Sequence, residues 1–208
     1  MIQNKIERKY IYMACKPKYL TSIATSCGSN LPSIKSLWIG QFDSASFTYT
    51  YQQDGSQNVT DDDDNPIKES VSGATLKEGS KPWVIFNFKK NTGELTSEMT
   101  VNDNGSHYYT NGVNLVFARI DNSKRLSLEA VASGECTMIV LDSNNQYWLI
   151  GAENSVAMTT LSATTGVAVG DSNQYSLTIS ADEANMPILI DKEQAQTIIS
   201  TLTTAPGA

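Results

Sequence analysis

The sequence predicts a mainly β fold, an antiparallel β-sandwich or small barrel with one flanking helix and a C-terminal helix. Three observations carry this expectation. A small unit occurs twice, Asp142-Ser143-Asn144-Asn145-Gln146-Tyr147-Trp148-Leu149-Ile150 and Asp171-Ser172-Asn173-Gln174-Tyr175-Ser176-Leu177-Thr178-Ile179. In both, a polar turn cluster separates two strand-like runs, the pattern of a β-hairpin. Alternation of apolar and polar residues recurs along the chain, most cleanly in Ser46–Tyr51, where Phe47, Tyr49 and Tyr51 fall on one face. Helical patterning is confined to two segments, 121–132 and 191–202.

Taken in order, residues 1–35 read as a basic arm punctuated by Ser, Gly and Pro, with a turn at Cys27-Gly28-Ser29-Asn30. The β domain is expected over 36–190. Ser36–Phe42 is its first strand and Ser46–Tyr51 its second. Residues 53–81, rich in Asp, Gly and Ser, are longer than an ordinary connection, so a projecting loop or hairpin arm is expected there. Ile67, Glu69 and Val71 still alternate within it. Strands follow over 83–88, 94–101 and 113–120, with Asn104-Gly105 as a tight-hairpin signal and Asn111-Gly112 as a further break. In 121–132, Asn122 or Ser123 is suited to cap a helix and Gly134 to end it. After the paired hairpins of 135–180, Ile188–Ile190 is a short strand. Asp191 then caps a helix with Ala195, Ile198, Ile199 and Leu202 on one face, and 191–208 forms the C-terminal helix and tail.

The strand around Trp148 is apolar on both faces, since Trp148 and Ile150 oppose Tyr147 and Leu149. Such a strand needs two covers. The second is either a helix or a neighbouring subunit.

A chain of 208 residues is long enough to bury a core without staples. The charged fraction is 18%, below the usual ~25%, and Ser, Thr, Asn and Gln make up the difference. The net charge is −7; residues 1–20 contribute +4 (five basic side chains against Glu7), leaving −11 on the rest. An acidic body argues against tight nucleic-acid binding but suits a surface past which DNA slides. The three cysteines, Cys15, Cys27 and Cys136, stand at no metal-like spacing. A Cys15–Cys27 disulfide is one reading, and three free thiols in a reducing compartment the preferred one. The apolar run Ile11–Cys15 is too short for a secretory signal, and no run approaches the ~20 residues of a membrane helix, so a soluble protein made inside the cell, without a membrane anchor, is expected. Met13 is an alternative start.

Catalytic chemistry is not signalled. His107 is the one histidine, in a turn-flanked segment without a nucleophile and carboxylate implied beside it. No nucleophile elbow, phosphate-binding glycine loop or His/Cys metal spacing occurs. Asp61–Asp64 lacks the glycine and spacing of a calcium loop and reads as a solvated acidic tip. The expectation is therefore a non-enzyme with no cofactor and no metal. Trp38, Trp83, Trp148, Tyr108 and Tyr109 permit a second class of reading, a glycan-binding or adhesin β-sandwich with aromatics exposed in a groove.

Beyond these residue patterns, 135–190 resembles the tail-tube and tail-ring structural proteins of tailed bacteriophages, especially those of phages infecting Bacteroides-type hosts. The likeness rests on Met138–Asp142, Gln146–Gly151, Thr164–Ala168, Asp171–Ile179 and the acidic Ala181–Ala184, with Cys27-Gly28 and the strand at Trp38 resembling the opening of such chains. The resemblance implies a virion protein of tail or neck that self-assembles into a ring or tube. Its partners would be itself and neighbouring tail proteins, with DNA as passing cargo. On this reading the inter-subunit contact candidates are Tyr49, Tyr51, Ile67, Val71, Trp148 and Ile150, and the 53–81 arm reaches an adjacent ring. The +4 arm and the final amphipathic helix depart from the outline of a repeating tube subunit.

Overall fold

A computed structural model describes residues 23, 30–61 and 64–204. The expected basic arm (apart from its last residues), the Cys27–Asn30 turn, Cys15, Met13, Asp62 and Asp63 lie outside these or at their limit. The chain is mainly β with two helices, as the sequence predicts.

The elements run β1 (Ile34–Gln41), β2 (Ala45–Tyr51), β3 (Gln53–Asp54), β4 (Gln57–Asn58), β5 (Lys68–Leu76), β6 (Val84–Phe86), β7 (Gly93–Val101) and β8 (His107–Ala118). Then come α1 (Asn122–Ala132), β9 (Cys136–Asp142), β10 (Tyr147–Ile150), β11 (Ala157–Thr164), β12 (Gln174–Glu183), β13 (Ile188–Ile190) and α2 (Lys192–Thr203). Seven strands form one sheet in the order β2-β5-β13-β10-β9-β1-β6, and four form a second in the order β11-β12-β8-β7. The second sheet is antiparallel throughout. The first is mixed rather than purely antiparallel, because β13 and β5 run parallel.

Two cores flank the seven-stranded sheet. Leu37 and Ile39 of β1, Met138 and Val140 of β9, and Ile150 of β10 pack against Val113, Leu115, Leu177 and Ile179 of the smaller sheet. The alternate residues, Ile139, Tyr147 and Leu149, point the other way and are covered by Ala195, Ile198 and Leu202 of α2. This explains the doubly apolar strand at Trp148: α2 is its second cover. Each fully buried Leu or Ile contributes about 1.5–3 kcal/mol, so α2 is integral to the fold rather than a tail.

The helices form where their caps allow. Asp191 accepts from the Glu193 amide at 3.0 Å, as expected of an N-cap. For α1 the cap is Asp121, one residue before the expected Asn122. Asp121 has extended backbone and accepts from the Lys124 amide at 2.8 Å, while Asn122 is taken by the Arg125 guanidinium. Bonds from Lys124 hold the Asp121 carboxyl below its usual range.

Two expectations are corrected. Asn111-Gly112 does not break a strand, because β8 is continuous over His107–Ala118. Gly112 is there for proximity: a Cβ would lie 2.6 Å from the Ile179 carbonyl of the paired β12. The 53–81 segment is not one projecting arm. β3 and β4 form a small hairpin, but Lys68–Leu76 is β5, an interior strand between β2 and β13. Its Ser, Gly and Thr content masks it, and Val71, fully buried, is its anchor.

Candidate functional site

The four-stranded sheet supplies the feature that a lone domain explains least. Its outer strands, β11 and β7, each pair on one side only. β11 (AMTTLSAT) is eight residues long, carries no charge and no proline, and is exposed along most of its length. Natural sheets usually blunt such an edge with charges, proline or a bulge in the exposed stretch. Here the one register shift lies at Met158/Thr160, near the start, and leaves Leu161–Thr164 straight. Leu161 on β11, and Met99 and Val101 on β7, are exposed hydrophobics.

Strand direction makes the two edges complementary. β11, β12, β8 and β7 alternate in direction, so β11 of one copy beside β7 of another continues the same antiparallel pattern. The face of this sheet turned away from the core is mostly polar, with Tyr108 and Val116 of β8 as its large apolar residues. The row Thr178, Asn114 and Glu94 is hydrogen-bonded across three strands, with Thr178 donating to Asn114 at 2.8 Å and Asn114 to Glu94 at 3.4 Å. Thr110 donates to Asp182 at 2.7 Å on the same face. By register Thr160, Ser162 and Ser176 join them. Glu94, Glu98 and Asp182 supply the face's charge, and among the four strands' outward residues there is no lysine or arginine.

A second cluster lies where the two sheets meet. Glu183, the last residue of β12, turns inward and accepts from Asn111 Nδ2 at 2.9 Å and from the Gly151 amide at 3.0 Å. Asn111 is fully buried, donates also to the Asn185 carbonyl at 2.7 Å and accepts from the Ser97 hydroxyl at 2.6 Å. Burial pushes the Glu183 carboxyl up, against these bonds and the charge of Lys68. Lys68 is ion-paired with Glu153 and stands 4.5 Å from the centre of the Tyr49 ring. Desolvation lowers the Lys68 ammonium and raises the Tyr49 phenol, the latter aided by Glu183. No buried polar side-chain atom among the described residues is left without a partner, so the cluster reads as a tie between sheets.

Compared with known protein families, curated proteins and solved structures, the chain matches none. The reading therefore rests on geometry.

The six residues singled out from the sequence fall into two groups. Val71 and Ile150 are 0% exposed within a single chain, and Trp148 packs against the inter-sheet core with its indole donating to Asp142 at 3.1 Å. These three are occupied by the chain's own fold. Tyr49, Tyr51 and Ile67 are half-buried, and the first two lie on β2, an outer strand of the larger sheet. The opposite alternation holds, with Ser46, Thr48 and Thr50 exposed.

Exposed tryptophans, on which the glycan-binding reading depends, are not found. Trp83 is 3% exposed, with its indole donating to Ser44 at 3.1 Å, and Trp38 and Trp148 are core-packed. His107 is exposed and meets the Tyr109 ring edge-on. Cys136 is buried, which raises its thiol. Among the described residues no cluster of His, Cys, Asp and Glu has a metal-holding arrangement, and no helix is long and apolar enough to cross a membrane.

Sequence reasoning missed the β11 edge and the Glu183 tie. The edge had a readable signal: residues 154–170 contain no charge at all. The tie had none, because Lys68, Asn111 and Glu183 are far apart in the chain.

Proposed function

We propose that this protein is a non-enzymatic structural subunit that joins copies of itself through the edges of its four-stranded sheet. The assembly is a ring or tube of the kind found in the tail or neck of tailed bacteriophages. The observation that carries this reading is the uncharged β11 edge, complementary in direction to the β7 edge of the same sheet. An edge that meets a different edge is a heterologous contact, and such contacts generate rings when the rotation closes and filaments when it does not. Main-chain bonding along eight residues, roughly 27 Å, gives affinity without side-chain specificity.

The outward face supports the second half of the proposal. In a ring built this way the small sheets run together, and their polar faces form a continuous wall. A wall of Thr, Ser and Asn with Glu94, Glu98 and Asp182 offers phosphates no cationic partner, so DNA passes without being held. Neighbouring tail or neck proteins and the virion as location belong to the same proposal.

The test is the mass of the full chain in solution by light scattering, with negative-stain imaging of the same sample. Rings or tubes are expected, and Leu161→Lys, which places a charge on the open edge, should disperse them. A chain that stays monomeric at every concentration reached would overturn the reading.

A further inference from the structure

The β11–β12 connection ends in an apolar tip that the chain itself does not cover. Val167 and Val169 are fully exposed, on neither core. The tip is nevertheless built. Asp171 accepts from the amides of Val167 and Ala168, both at 2.7 Å, its own amide donates to the Ala168 carbonyl at 3.0 Å, and Gly166 takes a positive φ of 72°. The base is anchored by Asn173, which accepts from the amides of Arg119 at 2.7 Å and Ile120 at 2.8 Å. An unsupported loop does not fix two valines in water; this one is braced to present them.

The same chain has an apolar recess that it leaves open. A groove of about 840 Å³ runs between α1 and the β1–β6 edge, with Val84, Ile85, Phe86 and Phe117 in its wall. Val84 and Ile85 are exposed, and β6 is an outer strand. Just beyond it, Lys89 and Lys90 are exposed in the turn before β7 and have no ion partner among the described residues.

We infer that the Thr165–Ser172 tip of one copy seats Val167 and Val169 in the β6 groove of the next copy, with Asp171 facing Lys89 and Lys90. This rests on the edge-pairing reading for its placement. With β11 antiparallel to a neighbour's β7, the C-terminal end of β11 at Thr164 lies beside the start of that β7 at Gly93. The tip that follows Thr164 therefore arrives at the turn that precedes Gly93, where Lys89, Lys90 and the Phe86 end of the groove stand. Burial of the two valines adds apolar affinity that main-chain pairing lacks. The lysines select the acidic tip by charge, and fix the register of a strand pairing that an uncharged edge leaves free to slip.

The experiment uses the full chain and three sets of changes. Val167→Asp with Val169→Asp should raise the concentration needed for assembly at least tenfold, and Lys89→Glu with Lys90→Glu should do so in a salt-dependent way. In a Cys15→Ser, Cys27→Ser, Cys136→Ser background, Val169→Cys with Val84→Cys, on the α1 side of β6, should form a disulfide between chains on oxidation, seen as a ladder on a denaturing gel. Circular dichroism of each variant checks the fold, and the cysteine pair tests the contact without disrupting it. Assembly that survives the tip and lysine changes without a cross-link, yet is lost in Leu161→Lys, overturns the tip contact alone. Assembly that needs the tip but tolerates Leu161→Lys overturns the edge pairing alone. No assembly of the unmodified chain overturns both.

Discussion

Glu183 is the residue at which a single proton matters most. Burial is the largest influence on its carboxyl and raises it above the ordinary 4.5; Asn111, Gly151 and Lys68 pull the other way. A folded state that holds a proton more tightly than the unfolded chain gains stability from it below the unfolded value. That gain is lost as pH rises through the folded value. Glu183→Gln keeps an acceptor oxygen for only one of its two donors, Asn111 or Gly151, a loss independent of pH, but it does not ionise, so its stability relative to the unmodified chain should climb from about pH 4.5 upward. Denaturant titrations from pH 4 to 8 check this, and a difference independent of pH would falsify it. Glu183→Ala removes the acceptor of the Gly151 amide outright, and should cost about 1–3 kcal/mol. Gly40 is a steric counterpart. A Cβ there would lie 2.2 Å from the indole nitrogen of Trp83, the atom that bonds Ser44. Gly40→Ala should therefore destabilise by about 1–3 kcal/mol and shift the Trp83 emission, whereas unchanged fluorescence and stability would show that the indole moves freely.

Elements differ in how well a sequence announces them. α2 was fully legible, because its cap Asp191 and the spacing of Ala195, Ile198 and Leu202 are local signals that the packing then uses. Asp191→Ala should cost about 1 kcal/mol through the lost cap. Ile198→Ala should cost about 2–5 kcal/mol through the cavity it leaves under the helix. The two losses, read by thermal melts, should add, since cap and core contact are separate; strong coupling would show that the helix N-terminus and its buried face move together. β5 was not legible as an interior strand. Its sequence, KESVSGATL, has the composition of a loop, and only its partners β2 and β13, distant in the chain, turn it into sheet. Trp148 was half legible: a strand apolar on both faces announces two covers, but not which cover lies inside the chain. Of the β11 edge, the missing charge over 154–170 was visible and the absence of a partner strand was not, because pairing is a property of topology.

At the scale of the whole molecule the two cores are one cooperative unit. β9 sends Met138 and Val140 into the inter-sheet core and Ile139 into the core under α2. β1 and β10 divide their side chains in the same way, so no central strand can leave one core while staying in the other. Local unfolding of one core alone would have to lift α2 or the smaller sheet off a face of the larger sheet, and so expose apolar side chains of all three central strands at once. The tryptophans give a probe on each side: Trp83 in the α2 core and Trp148 against the inter-sheet core. A chain keeping only Trp83 (Trp38→Phe, Trp148→Phe) and one keeping only Trp148 (Trp38→Phe, Trp83→Phe) should each show fluorescence and far-ultraviolet circular dichroism transitions with the same midpoint in denaturant. Comparing the two signals within each variant removes the stability cost of the substitutions. If the Trp83 signal melts before the dichroism while the Trp148 signal follows it, α2 and its core peel away first. The smaller sheet, with its open edges, would then be the stable part of the molecule, and the proposed edge pairing would not depend on α2.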